Sequence, residues 1–156
     1  MMVLKIRFVL FILFLYVSAV SFAQDQKIDL HWETNYQEAL SLARQQNKKV
    51  LIYFSGSDWS TPCQMLSKDF FYTEKFRKIA VEYLILLRVD LPRRANIISD
   101  FHENSNAQLS IKYKQKVYPT VIIVDSSGKM LGKVESYNYL HDTSNHYALI
   151  NRVLRL

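Results

Sequence analysis

Apolar and polar positions change rhythm several times along this 156-residue chain. The opening MMVLKIRFVLFILFLYVSAVSFAQ places Lys5 and Arg7 ahead of an almost wholly apolar run from Phe8 to Val20. From Trp32 to Gln46 the pattern is helical. Tyr36, Ala39, Leu40 and Ala43 fall at i, i+3, i+4 and i+7, and Thr34 with Gln37 offers a capping box. Two short continuous apolar runs, KVLIYFS (49–55) and LILLRVD (84–90), read as strands buried on both faces. Between them SGSDWSTPCQM (55–65) opens a helix extending to about Phe71. Thr73 caps another helix through Tyr83, with Phe76, Ile79, Ala80 and Tyr83 on one side.

The segment 91–104, LPRRANIISDFHEN, is polar and irregular, and Ser105 is placed to cap a short helix through Lys114. YPTVIIVD (118–125) predicts a third strand, SSGK (126–129) a turn through Gly128, and MLGKVES a strand pairing back as a hairpin. The tail from Thr143 puts Tyr147, Ile150, Val153 and Leu154 on one helical face. Two helix-linked strands followed by a hairpin make a mixed α/β sheet flanked by helices.

A short basic start, an apolar core and small residues at Ser21 and Ala23 have the order of a secretory signal peptide, with a cut ahead of Gln24. The apolar run is short for a spanning helix, so residues 1–23 read as a signal peptide. Residues 24–156 read as a single exported domain, periplasmic or secreted, with no membrane association after cleavage. The 156-residue chain less its first 23 residues leaves 133, about one domain, with 18 basic against 14 acidic side chains. The basic residues are spread rather than clustered, which gives no nucleic-acid footprint.

Cys63 is the only cysteine, so no internal disulfide is available and the fold rests on its core. A leftover thiol in an oxidising compartment pairs with another molecule, stays reactive, or is protected by burial. Thiol chemistry needs the thiolate, and unpaired N–H groups at a helix start favour it. A dithiol cycle also needs a second thiol one turn away to release the mixed disulfide. Ser60 keeps that i, i+3 spacing to Cys63, but its hydroxyl cannot form a disulfide. A closed dithiol cycle within one chain is excluded.

Each of these residues also has a reading without chemistry. Cys63 could be an inert thiol buried in the first helical turn. Ser60 could cap the helix, in competition with Thr61, which makes a capping box with Gln64 around Pro62. His31, His102, His141 and His146 show no metal-ligand spacing, and no metal or other cofactor is implied. His102, in the irregular loop, is the one histidine worth testing as a spatial partner of Cys63.

The motifs WSTPC (59–63) and VYPT (117–120), with LRVD (87–90) between them, resemble those of the thioredoxin-like family. There the first reads Trp-Cys-x-x-Cys and the second is the cis-proline loop. The likeness covers Trp32 to Val134. It implies a thioredoxin fold with a central mixed sheet of four to five strands, a cis bond between Tyr118 and Pro119, and a groove in which an extended partner segment pairs with backbone. Trp59, Tyr118 and Pro119 would form that groove. Ser60 then stands where the family has its attacking cysteine, and Cys63 where it has the resolving one. Tyr53 or Phe54 stands where thioredoxins often carry a buried acid.

The resulting expectation is an exported protein of cell-envelope redox homeostasis with a degenerate active site. It would handle cysteine-containing or unfolded protein partners through Cys63, with Ser60 as cap and donor to the thiolate. A disulfide-linked dimer through Cys63 is also open. The alternative is a non-catalytic peptide-binding or holdase module in which the groove matters and the thiol does not.

Overall fold

The computed structural model describes residues 29–156. The expected signal peptide therefore lies outside the described residues. In chain order the elements are β1 (Trp32–Glu33), α1 (Tyr36–Gln45), β2 (Lys49–Ser55), α2 (Thr61–Leu66), a π-helical turn (Ser67–Phe71), α3 (Glu74–Tyr83), β3 (Leu84–Asp90), α4 (Asp100–Lys112), β4 (Thr120–Val124), β5 (Met130–Glu135) and α5 (Ser144–Leu154). Among the described residues no helix is long and apolar enough to cross a membrane.

The strands form one sheet in the order β1-β3-β2-β4-β5. β3 runs parallel to both β1 and β2, whereas β4 is antiparallel to β2 and to β5. This is the mixed, helix-flanked sheet of the thioredoxin fold. Because successive strand residues face opposite sides, β2 feeds two cores. Leu51 and Tyr53 join Leu66, Phe70, Phe71, Phe76 and Ile150 on the face covered by α2, α3 and α5. Val50, Ile52 and Phe54 join Ala39, Leu40, Leu109 and Tyr113 on the face covered by α1 and α4.

Three expectations are corrected. Trp32 and Glu33 are not helical: they pair in parallel with Leu86 and Leu87 as an edge strand, and Trp32 packs against Phe71 with centroids 5.2 Å apart. α1 is capped by Asn35, whose carbonyl oxygen accepts from the N–H groups of Gln37 (2.9 Å) and Glu38 (3.1 Å), so the Thr34–Gln37 box is not used. The helix in the second half begins at Asp100 with Ser99 as its cap, which confines the irregular loop to residues 91–98. The helix opened by the cysteine stretch does reach Phe71, but only through the π-helical turn after Leu66.

Register brings the two motifs together. Thr120 pairs with Phe54, so the Tyr118–Pro119 segment comes level with the chain leaving β2. That chain turns straight into α2.

Candidate functional site

Ser60 is the N-cap of α2. Its hydroxyl oxygen accepts from the Cys63 N–H at 3.4 Å, and its carbonyl accepts from the Cys63 and Gln64 N–H groups. The competing Thr61–Gln64 box is not used, since the Gln64 side-chain amide donates to the Ser57 carbonyl at 3.3 Å. Ser60 is itself buried, as is Cys63, whose residue surface is only 2% exposed. The side chain of Cys63 belongs to the core beneath α2.

Of the two residues aligned with the family's buried acid, Tyr53 is the one facing Cys63; Phe54 points to the other core. The Tyr53 phenol donates to the Cys63 carbonyl at 3.0 Å and lies 3.5 Å from the Ser67 hydroxyl, which also donates to that carbonyl at 2.9 Å. Burial, and then the nearby Cys63 thiol, push the phenol well above the usual tyrosine range. It remains a neutral donor that braces the helix start and does not serve as a base.

Trp59 lies across Gly56, where an added Cβ would run into the indole ring, so glycine is required for this approach. The Trp59 Nε1–H donates to the Leu91 carbonyl at 2.9 Å, and its ring meets Tyr118 edge to face at 5.7 Å. The peptide bond between Tyr118 and Pro119 is cis. Two neighbouring carbonyls in this loop are taken. Val117 accepts from Gln115 and Thr120 side chains, and Pro119 from the Ser136 N–H at 2.8 Å. Among the described residues the Tyr118 backbone has no such partner.

Two acids that sequence reasoning left without a role hold this end of the molecule. Asp90, buried at the end of β3, accepts from the Ser55 hydroxyl (2.8 Å), the Ser57 N–H (2.9 Å) and the Ser57 hydroxyl (2.5 Å). The Asp58 carboxylate accepts from the Arg93 and Arg94 N–H groups and from the Arg94 guanidinium. Desolvation opposes its charge, but the Arg94 and Arg93 N–H groups outweigh that and hold Asp58 below the usual carboxylate range. The loop 91–98 is thereby fastened over the motif, with the Arg93 guanidinium 4.1 Å from the Trp59 ring centre.

Five sequence-selected residues thus occupy one end of the sheet: Trp59, Ser60, Cys63, Tyr118 and Pro119. His102 does not join them. It sits in the first turn of α4, with Nδ1 3.1 Å from the Ser99 hydroxyl. No group of three or more metal-ligating side chains occurs among the described residues. A pocket of about 340 Å³ opens beside Cys63, lined also by Tyr53, Ser57, Gln64, Ser67 and Arg88.

Comparison with known proteins gives a consistent result. The family model described as thioredoxin-like matches residues 31–126. The disulfide bond reductase DsbH of Chlamydia pneumoniae is 29% identical over 106 residues, covering 68% of this chain and 63% of that protein. The thioredoxin-related protein DsbJ of the same organism is 24% identical over 106 residues, covering 68% of this chain and 30% of that one. The chain therefore spans less than two thirds of either relative. Among solved structures, a DsbH oxidoreductase superposes with a TM-score of 0.71 at 24% identity, over 90% of this chain and 97% of the other. A thioredoxin from Thermus thermophilus superposes with a TM-score of 0.62 at 17% identity, over 80% and 87%. These structural likenesses establish the fold.

Proposed function

The chain belongs to the thioredoxin-like family, and from that premise we propose that it is an exported protein handling disulfide-bearing protein partners through one thiol, Cys63. The observation that carries the reading is the placement of this sole cysteine. It stands in the first turn of α2, on the wall of an open pocket, at the end of the sheet that also carries the Tyr118–Pro119 loop. There the Tyr118 backbone has no partner among the described residues. An extended segment of the partner would pair with that backbone alongside the contacting rings of Trp59 and Tyr118. Relatives named disulfide bond reductase and thioredoxin-related protein support thiol chemistry, and the basic-then-apolar start of the sequence supports export.

The exchange balances without an outside oxidant. The Cys63 thiolate attacks one sulfur of the partner's disulfide, the new S–S bond forms, and the other partner sulfur leaves as a thiolate. Release requires a second thiol from the partner or from a small molecule, because Ser60 cannot supply one. Ser60 acts as the cap that fixes the helix start, and its hydroxyl would be the donor to the thiolate in this reading.

A second reading is favoured by one observation, the packing of Cys63 into the core with 2% of its surface exposed. In that reading the groove alone binds extended segments, as a holdase would. A synthetic peptide carrying one cysteine as its mixed disulfide with thionitrobenzoate separates the two. The first reading predicts release of one chromophore per chain and a covalent peptide adduct, both lost in Cys63→Ala. Equal peptide binding by both proteins with no adduct would establish the groove module instead.

A further inference from the structure

We propose that the pocket beside Cys63 is a subsite for the carboxylate of a small anionic disulfide, so that low-molecular-mass thiols bearing a carboxylate are exchanged onto Cys63. This rests on the thiol reading above and names a substrate class for the same cysteine. Neither Trp59 nor Tyr118 nor Pro119 lines the pocket, which is separate from the strand-pairing groove. Its walls are Tyr53, Ser55, Ser57, Cys63, Gln64 and Ser67, completed by Lys68, Tyr72 and Arg88.

The charge of this lining is one-sided. It holds two cations, Lys68 and Arg88, and no carboxylate. Neither cation forms an ion pair among the described residues, where the five ion pairs all involve other side chains. The Arg88 Nε–H is buried and has no hydrogen-bond partner. A buried, unpaired donor on a cation is costly to leave unmade, and a guanidinium suits a carboxylate with its planar fork. Arg88 is also held in place: its guanidinium carbon lies 5.0 Å from the Trp32 ring centre.

Four of the hydroxyls around it are already committed. Ser55 and Ser57 donate to Asp90, while Tyr53 and Ser67 donate to the Cys63 carbonyl. The charge on offer to a ligand is that of Lys68 and Arg88. A volume of about 340 Å³ matches a small molecule at the lower end of ligand-site sizes.

The chemistry is the exchange already written. Cys63 sulfur bonds to one sulfur of the small disulfide, the S–S bond of that disulfide breaks, and the second half leaves as its thiolate.

The test compares dithiodipropionate with cystamine, two disulfides of equal chain length ending in carboxylates and in ammonium groups. Rates of adduct formation on the folded full chain are read by intact mass and divided by the rates on the urea-unfolded chain. The subsite predicts an anion-to-cation preference of roughly fivefold in the folded protein, the scale of a screened charge pair. That preference falls toward one in Arg88→Gln and in Lys68→Gln. The second variant alters an exposed side chain and keeps the test decisive if loss of the Trp32 contact unfolds the first. Adducts with both reagents but no anion preference would overturn the subsite and leave the thiol reading standing. Adducts with neither, until the chain is unfolded, would overturn both.

Discussion

At the scale of single residues, Ser60 defines where α2 begins. Its hydroxyl and carbonyl both receive N–H groups from the first turn of α2, a helix only six residues long that has little else to define its start. Ser60→Ala should lower stability by about 1 kcal/mol, the usual cost of a lost cap, seen as a lower urea midpoint. An unchanged midpoint would show that the backbone contact alone suffices. Gly56 makes a sharper prediction. Gly56→Ala forces the indole of Trp59 off its seat, breaking the Nε1–Leu91 bond and the edge contact with Tyr118. The expected readout is altered tryptophan fluorescence with peptide binding weakened; an unchanged spectrum and affinity would remove Trp59 from the groove.

At the scale of elements, the loop 91–98 and the helix α5 each depend on one ionisable side chain. Asp58 fastens the loop through Arg93 and Arg94, so Asp58→Asn should speed tryptic cleavage after those arginines without changing global stability much. In α5, burial drives His146 down to about 4 against the partial opposition of Asp142, and the ring packs against Phe70 and Tyr137. Between pH 6.5 and 4 the unfolded chain takes up a proton that the folded chain refuses, so stability is full above 6.5 and is lost as pH falls toward 4. A shift of this size corresponds to about 3 kcal/mol. Urea titrations across that window check it, with His146→Phe expected to flatten the dependence. Legibility of these elements in the sequence followed packing. The runs 49–55 and 84–90 gave strands with the observed ends because both faces are buried. α3 was legible from Thr73 and Phe76. β1 was not, because Trp32 and Glu33 are held by pairing to residues more than fifty positions away. The start of α4 was not either, because its first buried residue is Asn106, leaving no apolar stripe to mark it.

At the scale of the whole molecule, the sheet carries the cysteine stretch and the Tyr118–Pro119 loop to the same end. The likeness of WSTPC and VYPT to the family's motifs selected Trp59, Ser60, Cys63, Tyr118 and Pro119, and the sheet register explains why two motifs so far apart in sequence share one end. Arg88 and Asp90 escaped selection because their surroundings come from Trp32, Ser55 and Ser57 on other strands. With one thiol and a neutral phenol in place of the family's acid, the protein should show no turnover as a dithiol reductase, and sustained insulin reduction by the pure chain would contradict this. The central claim is that Cys63 reacts from the folded state despite its slight exposure, and the most direct test is its alkylation by iodoacetamide in native buffer, set beside the rate of global unfolding. The account predicts modification faster than unfolding and slowed by a bound cysteine-free peptide. Modification that only keeps pace with unfolding would contradict it and leave Cys63 an inert part of the core.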